Sequence, residues 1–316
     1  MKNMILAVTL TAVSFTIQAG SKIDQTLDIP KTADVSIHDQ HGNIKVKAWD
    51  KSKVKVSGEL SDKARDYTFE SHGNTVTFDV IYDDKWSWNR KSAKEDNSNL
   101  TFYVPKGSEL QVNNITGDIS VTGVEAGANI ETVNGAIKAE KLKDRVRLQS
   151  VNGNISAANN EGKIDIETVN GAVSDKGSSG TLRLRTVQGN VTCKSTYLDV
   201  AVEIVNGNLM LDLDKIDELV VESVNGRVDV ALDLNRKGDV SVSGVNGTIN
   251  LDFNKGVDAE FELDTAVGGS ITNKLTDDQA EKQKFLPGSS LGFTTGDGSG
   301  DVEVTTVNGN VSVGYR

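Results

Sequence analysis

From residue 110 onward, apolar and polar residues alternate with period two, and the alternation slips by one residue at regular intervals. Between Gly180 and Cys193, Leu182, Leu184 and Thr186 share one parity, whereas Val187, Gly189, Val191 and Cys193 share the other. Neighbouring stretches repeat the move. Val146, Leu148 and Ser150 give way to Val151, Gly153 and Ile155, and Ile164, Ile166 and Thr168 to Val169, Gly171 and Val173. Period-two alternation predicts strands with one face inward, and a slip at a fixed place predicts a corner between two strands.

The slip falls each time on Val-Asn-Gly. The triplet begins at Val133, Val151, Val169, Val205, Val224, Val245 and Val307, with degenerate copies at Ile115, Val187 and Val267. Its glycines step by 18 residues through 117, 135, 153, 171, 189 and 207, then fall at 226, 247 and 269. A fixed period near 20 predicts a stacked-repeat architecture. Asn-Gly between alternating runs also suits a two-residue hairpin, which would give an antiparallel meander.

Three features favour coils stacked in parallel: the constant step, the recurring slip, and the chemistry found one period apart. Glu131, Gln149, Glu167, Arg185 and Glu203 would form one ladder, with Arg185 between two carboxylates; Arg147, Asp165 and Arg183 would alternate in sign. Opposite charges on adjacent strands stabilise by about 0.2–1 kcal/mol. The expectation is an all-β fold, a single-stranded parallel β-solenoid (β-helix) of about ten short coils. Its corners would be Asn134, Asn152, Asn170, Asn206, Asn225, Asn246 and Asn308.

Residues 20–110 alternate less regularly. Two turns, His41-Gly42-Asn43 and His72-Gly73-Asn74, place His where the later turns have Asn. This part is expected to be an irregular N-terminal β cap, because terminal repeats are atypical. It would carry a polar loop at 83–99, and the repeats would occupy 111–316 with an insertion at 273–290. Thr276-Asp277-Asp278-Gln279 reads as a capping box before a short helix at 280–285. Beyond Gly207 the second strand lengthens through Leu209, Leu211 and Leu213, so the stack should widen.

Composition fits thin β layers: 5% aromatic residues and 30 glycines leave little bulk for a thick core. Residues 1–19 read as a secretory signal, with Lys2, an apolar run from Ile5 to Ile17, and a small-residue cleavage region at Gln18-Ala19-Gly20. The run is too short and polar to span a membrane. Export follows as an expectation, to the periplasm first and otherwise to the cell surface or medium. Losing Lys2 takes the net charge from −11 to −12, which disfavours nucleic acid and anionic lipid. Cys193 is the one cysteine, so no internal disulfide can form.

The repeated Val-Asn-Gly-x-Ile/Val, the Val104-Pro105-Lys106-Gly107 turn, the segment from Gly42 to Asp50 and the turn Gly296-Asp297-Gly298-Ser299-Gly300 together resemble the bacterial DUF4097 family of adhesin-like proteins. The resemblance covers most of the chain after residue 19. It implies an exported or envelope β-solenoid and supplies no catalytic residues.

Candidate chemistry is sparse. His38 and His41 form H-x-x-H, but residues three apart on a strand point to opposite faces, so no metal site is expected there. No cofactor is expected either. Cys193 has the inward parity of a buried small hydrophobe. Asp212, Asp214, Asp229, Asp233 and Asp252 would share one outward face, which suits a cation, a basic partner or simple solvation. Trp86 and Trp88, in the polar loop, suit a glycan or protein contact. The expected function is a non-enzymatic structural or binding module, adhesin-like, for an envelope protein or glycan. A polysaccharide-active β-helix enzyme and an envelope stress or signalling accessory are the alternatives.

Overall fold

A computed structural model of the chain describes residues 21–82, 97–282 and 287–316. Residues 1–19, expected to be a secretory signal, and Trp86 and Trp88 lie outside the described residues. Every described element is a β-strand, and the strands form one large mixed sheet that folds over on itself.

Through the middle of the chain the pairing is parallel at a constant offset of 18. Val146 lies beside Ala128 and Ile164, Ile164 beside Leu182, and Asn152 beside Asn134 and Asn170. The strands after the corner stack separately, with Ile119, Ile137, Ile155, Val173, Val191 and Leu209 in one row. The inward rows of both sets are buried and together form the core. Each fully buried Val, Ile or Leu contributes about 1.5–3 kcal/mol, so rows of them hold a structure that has few aromatic residues.

The glycine of each corner is a steric requirement. A Cβ on Gly135 would overlap the carbonyl oxygen of Gly117, one on Gly153 that of Gly135, and one on Gly171 that of Gly153. The column therefore packs backbone on backbone along its length. Asn side chains stitch it from outside. The Asn152 amide donates to Asn134 at 3.0 Å, Asn170 to Asn152 at 2.9 Å, Asn225 to Asn206 at 2.9 Å and Asn246 to Asn225 at 3.0 Å. One position after the glycine, Asp118, Asn154, Asn190 and Asn208 each accept a backbone N–H from the next coil.

His41 does stand in the corner: the strand Asp34–Trp49 lies beside 109–116, with His41 opposite Thr116 and Ile44 opposite Ile119. Its other edge is extended by Thr75–Tyr82 and Ser98–Pro105 in parallel. These are covered in turn by antiparallel strands Ala64–His72, Lys53–Glu59 and Lys22–Asp28.

Two expectations need correction. First, sequence order is not stacking order at the C-terminal end. The last strand, Gly300–Tyr315, lies between 239–253 and the strands Ala259–Thr265 and Ile271–Asn273, parallel to both sides. Gly309 consequently sits on Gly247, and Gly269 on Gly309. Asp258 anchors the returning chain: its carboxylate accepts the Asp297 and Ser299 N–H groups at 2.7 and 3.2 Å and the Ser299 hydroxyl at 2.8 Å. Second, no helix forms across 276–282. Asn273 accepts the Leu275 N–H at 2.9 Å and Thr276 donates to Asp278 at 2.8 Å, so these polar side chains close local turns in place of a helical cap. Antiparallel Ser289–Thr295 then covers the outer edge of Ala259–Thr265, and Phe293 stacks on Phe261 with centroids 4.6 Å apart.

Candidate functional site

Three places bring chemistry-bearing side chains together: the outer side of the corner, the sheet around the returning strand, and two buried polar clusters.

At the corner, strand parity predicts the valine of Val-Asn-Gly inward with Val191. It points out. Thr186 is buried, four residues from Val187 to Asn190 face outward or lie at the turn, and burial resumes at Val191. The slip is spread over the turn because strand pairing skips the valine, passing from Ser150–Thr168 to Asn152–Asn170. Ile115, Val133, Val151, Val169, Val187, Val205, Val224, Val245, Val307 and Val267 are all 38–48% exposed. Together they form an apolar ridge down one edge.

Beside the ridge runs an open trough of about 820 Å³. Thr132, Ser150, Thr168 and Thr186 form its floor, and Glu131, Gln149, Glu167, Arg185 and Glu203 its far wall. The wall is partly neutralised, with three carboxylates against one guanidinium. Gln149 donates to Glu167 at 2.6 Å, and Arg185 bridges Glu167 at 3.2 Å and Glu203 at 3.0 Å, in the place the repeat period assigns it. The guanidinium pKa is raised by its hydrogen bond to Glu203 first. Arg147 and Arg183 stack on either side of Asp165 but reach diagonally, to Glu167 at 3.8 Å and Glu203 at 3.5 Å. Partial burial, and then Glu167, push the Asp165 carboxyl up.

The second place is made by the chain's return. Glu260, Asp301 and Asp239 lie directly opposite one another on three adjacent strands, and Glu262 lies opposite Glu303 one step along. With Asp264 they line a shallow acidic concavity of about 820 Å³. All five of the paired carboxylates are exposed, and among the described residues none of them forms an ion pair.

The five aspartates singled out from sequence lie on the strand stretches that follow the corner. Asp212 is held by Lys194 at 2.7 Å and Arg316 at 3.2 Å. Asp229 is held by Arg227 at 2.7 Å and by the Asn250 amide at 2.7 Å. Asp214 and Asp252 are exposed and Asp233 is half-buried. Among the described residues, no three His, Cys, Asp or Glu side chains converge to hold a metal ion, and no helix is long and apolar enough to cross a membrane.

The buried clusters are locked into the fold. Asp175, 2% exposed, accepts the hydroxyls of Ser178 and Ser195 at 2.6 Å and of Tyr197 at 3.0 Å, and Cys193 Sγ lies 3.6 Å away. Burial first, and then the Asp175 charge, push the Cys193 thiol and the Tyr197 phenol far up, so neither is a nucleophile at neutral pH. Near the N-terminal end, Tyr82 donates to Asp39 at 2.6 Å, and its ring meets His41 edge-on at 5.2 Å. Burial raises the Asp39 carboxyl and, with Lys63, lowers His41 to about 4.

A family model described as Toastrack DUF4097 matches residues 32–314. The chain belongs to this family. No curated protein matches the sequence. Solved structures of low similarity include a "putative cell adhesion protein" from Clostridium sporogenes ATCC 15579, 9% identical over 94% of this chain and 100% of that one, TM-score 0.23. A "putative lipid binding protein" from Parabacteroides distasonis ATCC 8503 is 10% identical over 95% and 98%, TM-score 0.41. A "putative adhesin" from Bacteroides fragilis NCTC 9343 is 13% identical over 94% and 99%, TM-score 0.33. Family membership fits the repeated corner.

Proposed function

We propose that this DUF4097 chain is an exported, non-enzymatic binding module. It is a single-stranded parallel β-solenoid of about ten coils, closed at one end by the cap of residues 20–110. Its recognition surface is the acidic sheet around the returning strand, and its partner is a basic segment of another envelope protein. One observation carries this reading: the unneutralised stack of Glu260, Asp301 and Asp239 beside Glu262 and Glu303. Like charges on adjacent strands lie about 5 Å apart and repel by about 0.8 kcal/mol per pair even in bulk water. At Arg185, by contrast, a cation lies between two carboxylates. A cationic partner relieves the repulsion and gains from the shape of the concavity. A catalytic role finds no support in the buried clusters, whose titratable groups are engaged by core hydrogen bonds.

The test is calorimetric titration of the chain with a poly-lysine peptide at several salt concentrations. Glu260→Gln/Glu262→Gln/Glu303→Gln should abolish the salt-dependent binding. Asp212→Asn/Asp229→Asn/Asp252→Asn removes the same charge from the strands after the corner and should leave most of it. Equal losses from both triple variants would reduce the effect to net charge and overturn the assignment. Capture from envelope extract with and without residues 84–98 tests whether Trp86 and Trp88 add a glycan or protein contact.

A further inference from the structure

The apolar ridge takes no part in that reading. Ten β-branched residues, from Ile115 to Val267 in stacking order, are nearly equally exposed on one line. Apart from Ala136 and Ala172, the other outward positions of the corner are polar or glycine, so solubility alone would favour a polar residue here too. Nothing in the core needs these side chains, because the inward rows are already closed on both sides of the corner.

We propose that the ridge is the contact between two copies of this chain, which pair side by side in parallel about a twofold axis running along the stack. The ridge of each copy enters the trough of the other. Three arguments lead there.

The first is pitch. The ridge repeats at the strand spacing of about 4.8 Å over nine steps, about 43 Å in all. An α-helix laid along it repeats at about 5.4 Å, and an extended peptide presents like-facing residues about every 6.8 Å. Either drifts out of step with the valines within a few coils. A second stack of parallel coils has the same pitch along the whole length, and interdigitated columns of β-branched side chains make dry, close contacts.

The second is shape and chemistry. The trough lies immediately beside the ridge over the coils from Asn113 to Val205. Rotation by 180° about an axis between ridge and trough puts each ridge over the other copy's trough, coil against identical coil. It also sets the wall of Glu131, Gln149, Glu167, Arg185 and Glu203 against the partner's column of Asn amides. Arg185 partly offsets the wall's carboxylates, and amide N–H groups can donate to the carboxylates that remain, so the contact leaves them hydrogen-bonded.

The third is size. The strip of ridge and flanking columns spans about four to five residues across, or about 16 Å, and over all ten coils covers on the order of 700 Å² per copy, of which the six coils that carry the trough account for about 400 Å². Stable dimers bury about 800 Å² per partner. A twofold contact is self-complementary and closes on itself, so it leaves no free ridge to build fibres.

Sedimentation equilibrium on the chain without residues 1–19 should give twice the chain mass at micromolar concentration. Val151→Glu/Val187→Glu should give the monomer mass, while circular dichroism and the melting profile report an intact fold. If those charges unfold the protein, Val151→Thr/Val187→Thr keeps the shape and should still weaken the dimer at least tenfold. Orientation is read by cross-linking. Single variants Val133→Cys and Val205→Cys are mixed and treated with a short bis-maleimide; Cys193 is buried and does not compete. Parallel pairing joins Val133→Cys to itself and Val205→Cys to itself. A monomer at all concentrations, a dimer indifferent to both double variants, or cross-links only between the two different variants would each overturn the proposal. Poly-lysine binding by the monomeric variant separates this outcome from failure of the acidic-sheet reading.

Discussion

The coils from 128 to 206 and those from 239 to 306 are built on the same backbone plan, yet the ladder at Arg185 and the ladder at Asp301 treat charge in opposite ways. In the middle coils, residues one period apart along the chain become stacked neighbours, and Glu167, Arg185 and Glu203 fall in alternating sign. In the C-terminal coils the neighbours come from distant parts of the chain, and Glu260, Asp301 and Asp239 fall with one sign. Charge alternation written into a repeat survives only where the repeat is stacked in sequence order. Where a strand is inserted out of order, the neighbours are chosen by topology, and a local excess of charge results that a partner can use.

The largest effect should come from breaking the plan that both regions share. Gly171→Ala drives a methyl group into the Gly153 carbonyl. It should cost more than about 3 kcal/mol, as overpacking against backbone does at its severe end, and chemical denaturation will show it as a loss of midpoint. Gly268→Ala meets no atom within 4 Å and carries only the penalty of its φ of 70°, so it should cost about 1–2 kcal/mol.

Removing the Asp258 carboxylate by Asp258→Ala frees the turn that launches the inserted strand. Hydrogen exchange should rise in 300–315 and leave 128–206 protected. The Asp258 pKa is lowered, chiefly by the Ser299 hydroxyl and N–H. The stability it contributes is therefore present above the ordinary carboxyl range and lost as pH falls through its folded value. A C-terminal region as protected at pH 3 as at pH 7 would contradict this.

Asn170→Ala removes one rung of the corner ladder, its bond to Asn152. A loss of about 1 kcal/mol is expected, against no change for a loop alanine; identical melting of the two variants would remove the ladder from the account.

The N-terminal corner has its own pH signature. His41, held near 4 by burial against an ordinary 6.5, stays neutral when folded, whereas the unfolded chain binds a proton. Stability from this residue is full above about 6.5 and falls as pH drops from there to about 4. Asp39, raised by burial, acts in the opposite direction, so the comparison is with His41→Asn, in which that fall should be absent.

The smallest effects are the most diagnostic of the contrast. Arg185→Gln should lower the melting temperature slightly at low salt, and Glu262→Gln should raise it slightly. Both differences should fade near 1 M salt, where the screening length is about 3 Å. Shifts of the same sign would dissolve the distinction between the two regions.

Much of this was legible in the sequence. The period of 18 gave the register of the middle coils, the ladder partners of Arg185, the Asn column and the inward row that buries Cys193. Each depends on local alternation and on one repeat following another. The valine of the corner was misplaced because parity counting assumes an extended strand, whereas the turn at Asn-Gly holds several residues outside the ladder. The capping-box reading at 276–279 failed because Asn273 and Thr276 satisfied the backbone locally before a helix could form.

By itself, then, the sequence determined an all-β family member with stacked corners, because side-chain alternation and a glycine that admits no Cβ are properties of neighbouring residues. Only the tertiary structure decided that Gly300–Tyr315 slots between two earlier segments, which carboxylates meet there, and that nine valines and Ile115 line one outer edge. Those facts depend on which distant strands share hydrogen bonds, and backbone hydrogen bonding carries no side-chain signature in the sequence.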